Sequence, residues 1–213
     1  MRDERSHVYK LFETVQGSAR ITSIAFESML QLQLQRVVAL TLVPMVKHLP
    51  TSGAKPHWRS QIVDELESMS TEDSGSVGAM AANRPLSIRF KPNETIEYRP
   101  SALRSVQIGT LYLPGSHQPA FNSFIVHHGV LYMFQITIEM HRFYGGVTEF
   151  VFQESLQEIL QETEWYFIFV IPPGGEIDCL ESTNHRSTEF WKKAKLFTAE
   201  CDPTIRENLW LEE

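Results

Sequence analysis

The segment Val130-Leu131-Tyr132-Met133-Phe134-Gln135-Ile136-Thr137-Ile138-Glu139 reads as a strand, preceded at short range by Phe121-Asn122-Ser123-Phe124. Strand alternation puts Phe134, Ile136, Ile138 and Met140 on one face and Gln135, Thr137 and Glu139 on the other. Polar side chains two apart in so apolar a strand point to a site or to the remains of one.

Outward from that strand the elements alternate. Ser18–Gln35 has the spacing of an amphipathic helix: Ile21, Ile24, Ala25, Met29 and Leu32 make one stripe, widened by Phe26, Leu30 and Leu34. Ser18 is its N-cap. Val37–Val46 follows as a buried strand. Residues 52–84 read as a flexible insertion without chemistry, with a short helical stretch at Gln61–Met69 and a turn-rich tip at 70–76. Short strands are expected at Leu86–Phe90, Thr95–Tyr98 and Gly109–Leu113, the last stopped by Pro114. Phe121–Val126 and Val130–Ile138 are joined by the tight connection His127-His128-Gly129. A helix is expected at Thr148–Gln161, a strand buried on both faces at Trp165–Ile171, and a last helix at Ser187–Thr198. This order predicts one α/β domain over residues 1–213, with a mixed central sheet and an acidic C-terminal extension over about 176–213.

Composition excludes several classes. No apolar run approaches the ~18 residues of a membrane span, and no apolar segment follows the charged N-terminus as in a signal peptide. Two cysteines, Cys179 and Cys201, cannot make a disulfide framework or a cysteine zinc site. An intracellular location, nucleus or cytoplasm, is the expectation. The net charge of −7 argues against a generic nucleic-acid binder. It is uneven: residues 147–213 hold 14 acidic and 5 basic side chains. Glycine-rich phosphate loops and serine nucleophile elbows are missing. On a strand His127 and His128 would point to opposite faces and could not hold one ion together, and His117 with His141 lacks helical ligand spacing.

Several motifs recur together in one family pattern. They are Ile24-Ala25-Phe26-Glu27-Ser28-Met29-Leu30, Leu111-Tyr112-Leu113-Pro114, Phe121-Asn122-Ser123-Phe124, Leu131–Thr137, His141 and Tyr166–Pro172. In order and spacing they resemble the C-terminal domain of Crinkler and retrotransposon-hot-spot (RHS)-type proteins of fungi and oomycetes. The resemblance covers roughly residues 10–175 without the 52–83 insertion. It implies a restriction-endonuclease-like, PD-(D/E)XK fold, a mixed sheet flanked by helices. Active members hold Mg²⁺ between carboxylates and use a lysine to activate water. Glu27 then matches the helix glutamate, Asn122 stands in the place of the metal-binding Asp, and Gln135 and Thr137 occupy the Glu and Lys places. An amide oxygen lacks the charge that holds a hard cation.

The expectation is therefore a non-catalytic nuclease-like domain that needs no cofactor and binds a protein partner or nucleic acid. An alternative is a Mg²⁺-dependent endonuclease with a shifted site, its metal held by Glu27, Asn122 and Glu139. A second alternative is a plain protein-interaction domain working through the acidic C-terminal region. Arg89, Lys91 and Arg99 are candidate phosphate contacts. The structural alternatives are a hydrogen-bonded polar pair for Gln135 and Thr137, a local turn for Asn122, and solvated strand-edge charges for the basic residues. The sequence opens without the LxLFLAK-like header or NTPase module that accompany this domain in relatives, so a free-standing copy, a fragment or a mispredicted gene product is expected.

Overall fold

The computed structural model describes residues 19–48, 57–60, 84–99, 103, 105–115, 121–137, 162–175, 177–180 and 192–201. Among the described residues one helix, α1 (Ala19–Arg36), precedes ten strands. These are β1 (Val38–His48), β2 (His57–Ser60), β3 (Leu86–Phe90), β4 (Glu94–Tyr98) and β5 (Thr110–Pro114), then β6 (Ser123–His127), β7 (Val130–Ile136), β8 (Glu164–Ile171), β9 (Asp178–Leu180) and β10 (Ala194–Glu200). They form one mixed sheet in the order β4-β5-β6-β7-β8-β10-β1-β2-β9, with β3 joined to β1. The class is α/β. Among the described residues no helix is long and apolar enough to cross a membrane.

β7, β8 and β10 run parallel at the centre, and β5, β6 and β7 form an antiparallel meander beside them. β1 pairs with β3 through Val38–Leu42, meets β10 at Val43 and Pro44, and pairs with β2 from Met45 to His48. The change of partner falls at Pro44, whose nitrogen has no hydrogen to give a ladder.

Two cores lie on the two faces of the sheet. Phe26, Leu30 and Leu34 of α1 cover Ile125, Phe134, Ile136, Ile168, Val170 and Phe197. Phe124, Leu131, Met133, Phe167, Phe169 and Leu196 fill the opposite core. β8 therefore contributes alternate residues to both cores, the arrangement its unbroken apolar sequence implies.

The buried helical stripe is the part of the expected one that Phe26, Leu30 and Leu34 widen. Ile24 is 56% exposed and Leu32 44% exposed, whereas Phe26, Leu30 and Leu34 are buried. Both sets have helical spacing, and the set containing the bulkier Phe26 removes more apolar area from water. Residues 194–198 are strand, not the end of a helix. The Lys195-Leu196-Phe197-Thr198-Ala199 run sends Leu196 into one core and Phe197 and Ala199 into the other, between β8 and β1. A helix would present only one of those faces. His57–Ser60, inside the expected insertion, is a strand between β1 and β9. The helix expected at Thr148–Gln161 and the turn-rich tip at 70–76 lie outside the described residues.

The β6–β7 hairpin closes through His128 (φ +48°) and Gly129 (φ +76°). Two consecutive left-handed residues match the twist of a hairpin. Nothing lies within 4 Å of a Cβ built on Gly129, so a substitution there meets only backbone strain. Gly129→Ala is expected to lose about 1 kcal/mol. Urea unfolding should show a lower midpoint at an unchanged slope.

Candidate functional site

The site begins with the docking of α1. Phe26, fully buried, fixes the rotation of the helix and leaves Glu27, the next residue, half-buried at the edge of the contact. Asn122 lies one residue before β6. Its backbone N–H donates to Phe134 O at 2.7 Å. Its side chain is fixed at both ends: Oδ1 accepts from the Ile136 N–H at 2.6 Å, and Nδ2 donates to Glu27 Oε2 at 3.4 Å. The amide orientation follows from these partners. A flipped amide would set Nδ2 against the Ile136 N–H and Oδ1 against a carboxylate oxygen, two repulsive contacts in place of two bonds.

Glu27 and Asn122 are thus brought together, 95 residues apart in sequence. Gln135 and Thr137 flank Ile136, whose N–H Asn122 holds. Gln135 pairs with Phe169, so it lies on the sheet face opposite α1, while Phe134 and Ile136 face the helix. Thr137 is 1% exposed, and its N–H donates to Val170 O at 3.0 Å. Glu139 lies outside the described residues. Lys91 precedes β4 and Arg99 follows it, so a five-residue strand, about 16 Å long, separates them. Arg89 is exposed on β3, opposite Ala39. No group of three or more His, Cys, Asp or Glu able to hold a metal ion occurs among the described residues.

The arrangement has a definite chemical character. A cation between α1 and the sheet would need oxygen lone pairs from residues 27 and 122. Here the only oxygen of the Asn122 side chain is turned toward a backbone N–H, and its N–H₂ faces Glu27. The amide presents positive hydrogen to the Glu27 carboxylate. Beside it, the Ser123 hydroxyl is fully buried and has no hydrogen-bond partner among the described residues. Ser123→Ala is expected to leave stability unchanged or raise it by a few tenths of a kcal/mol, measured by urea unfolding, because no bond is lost with the hydroxyl.

Two side-chain groups escaped the sequence reading. Lys195 Nζ lies 2.7 Å from Glu164 Oε2 across the β8–β10 pair, both ends more than half exposed. The hydrogen bond from Lys195 lowers the Glu164 carboxyl below its usual range, and the same bond raises Lys195. Exposure limits what the pair adds to stability. Expecting a helix at 187–198 hid it, since the pair exists only if Lys195 is on a strand beside β8.

The second group is at the hairpin. His128 leaves the strand through its left-handed backbone, so the alternation that would send the rings of His127 and His128 to opposite faces does not apply. The ring centroids are 4.1 Å apart. Phe90 stacks on His127 at 4.2 Å. Burial, and secondarily the neighbouring His128, lower the His127 pKa below its ordinary value. A histidine whose folded pKa is depressed takes up its proton more readily when unfolded. Its neutral state therefore favours the fold above pH ~6.5, and that contribution is lost as the pH falls below this value. Thermal unfolding between pH 7.5 and 5 should show a shallower acid limb in His127→Phe, which keeps the stack on Phe90 without the proton.

No protein-family model matches the chain, and neither does any curated protein or solved structure.

Proposed function

We propose that this chain is a restriction-endonuclease-like domain of the Crinkler and RHS type that has lost its metal chemistry. It acts inside the cell, in nucleus or cytoplasm, by binding a protein partner or nucleic acid. The observation that supports this reading is the Glu27–Asn122–Ile136 hydrogen-bond chain. An ancestral Asp at position 122 would accept the same Ile136 N–H with one oxygen and offer the other, with Glu27, to a divalent ion. Asn keeps the first bond and replaces the ion with its own N–H₂. The fold contact is preserved while the charge needed to polarise a phosphodiester and activate water is gone.

The test is cleavage of supercoiled and linear DNA in Mg²⁺ and in Mn²⁺, for the wild type and Glu27→Ala side by side. The expected result is the same background rate for both proteins. Metal-dependent cleavage that disappears with Glu27→Ala would establish the nuclease instead.

A further inference from the structure

We propose that the tip of the β6–β7 hairpin is a binding site for a first-row transition-metal ion of right-angled coordination, Ni²⁺ or Cu²⁺, held by the imidazoles of His127 and His128. The site is at the end of β7 away from Gln135, and it goes beyond the nuclease-like reading, which concerns hard cations at Glu27.

Three observations carry it. His128 is the one non-glycine residue with positive φ among those described. A side chain in that conformation is uncommon, and here it follows from the hairpin turn. Here its effect is to bring two imidazoles side by side. The ring spacing is the second observation. Metal–nitrogen bonds of about 2.0–2.1 Å place two ring centroids roughly 4.5 Å apart on a right-angled metal and roughly 5.2 Å apart on a tetrahedral one. The rings stand 4.1 Å apart at an interplanar angle of 70°. The centroid spacing is about 0.4 Å short of the right-angled geometry and about 1.1 Å short of the tetrahedral geometry of zinc, so the right-angled ion asks for the smaller ring movement.

The third observation is the support around the pair. His127 is half-buried and held by Phe90, so one ligand is fixed in orientation. His128 is exposed, so its ring can make the small rotation and leave the remaining coordination positions to water.

The probe is Ni²⁺, which does not oxidise the cysteines, titrated calorimetrically into the full chain at pH 7.5. Two variants preserve the fold: His128→Asn tolerates the left-handed backbone, and His127→Phe retains the stack on Phe90. The expected result is one Ni²⁺ per chain, with affinity reduced roughly tenfold or more in each variant. Saturable binding left unchanged in His128→Asn would assign the metal to other histidines and overturn the proposal. Absence of binding to the wild type up to about 1 mM Ni²⁺ would overturn it as well.

Discussion

Replacing Asn122 with Asp is expected to destabilise the protein in the presence of a chelator and to make its stability depend on Ca²⁺. Asp would keep accepting the Ile136 N–H but would face Glu27 with an oxygen at about the distance now held by Nδ2, 3.4 Å. Two carboxylates that close at a half-buried position repel by about 3 kcal/mol, and the carboxyl pKa of one rises. The sign with pH follows. A carboxyl raised in the fold costs stability when ionised, so the deficit is full near pH 7.5 and shrinks toward pH 5 as the pair takes up a proton. A cation removes the repulsion differently. Two oxygens 3.4 Å apart at a right-angled site correspond to metal–oxygen bonds of about 2.4 Å, the range of Ca²⁺ rather than the ~2.1 Å of Mg²⁺. Ca²⁺ at a hundred times its dissociation constant would return about 2.7 kcal/mol, nearly the whole deficit. The double variant Glu27→Gln/Asn122→Asp reverses the donor and acceptor of the original pair. It should recover most of the lost stability and show no response to Ca²⁺. Thermal unfolding in EDTA and in 10 mM Ca²⁺ reads all three proteins. A variant Asn122→Asp as stable as the wild type in EDTA would show that the two side chains do not face each other.

Phe26→Ala should be the most damaging single substitution in α1, at about 3–5 kcal/mol. Phe26 is fully buried against the sheet, among Phe134, Ile136 and Ile168. Truncation leaves a cavity between two rigid surfaces, which collapse only partly, so the transfer and cavity terms add. It would also release the rotation of the helix that places Glu27 beside Asn122. Ile24→Ala, by contrast, removes a side chain that is 56% exposed and should change stability by less than about 0.5 kcal/mol. Urea midpoints for the two variants measure the phase of the helix. Equal losses, or a larger loss for Ile24→Ala, would mean that the apolar stripe of α1 faces the sheet through the other set of residues.

That contrast shows where sequence pattern was sufficient. The strands at 86–90, 94–98, 110–114, 130–136 and 164–171 are visible because β-branched and aromatic runs end at turns or prolines. The hairpin was legible from Gly129. In α1 the apolar stripe is broad, and packing on the sheet buries its Phe26, Leu30 and Leu34 edge while Ile24 and Leu32 stay exposed. The strand 194–200 was misread because its lysines and alanines favour helix locally, and pairing in parallel with β8 overrides that preference. Strands β2 and β9 are three or four residues long and exist only by pairing with each other and with β1, information no short window contains.

Within the candidate site, strand alternation correctly separated Gln135 from Phe134 and Ile136. It could not show which face α1 covers, and α1 lies on the side away from Gln135. The contact between Glu27 and Asn122 followed from neither periodicity nor spacing. It arises where the helix packs beside the residue that precedes β6, a consequence of packing. At the hairpin, alternation failed for a local reason: a left-handed residue interrupts the two-residue period and brings the His127 and His128 rings together.

The decisive observation is calorimetric titration of the unmodified protein with Mg²⁺ and Ca²⁺ at pH 7.5, alongside Glu27→Ala. With the Asn122 amide seated against the Glu27 carboxylate, neither ion should bind with any heat that depends on Glu27, up to about 10 mM, an affinity of under ~3 kcal/mol. Saturable binding of either ion below that concentration, abolished by Glu27→Ala, would mean that the amide yields its place to a cation and that the pocket still works.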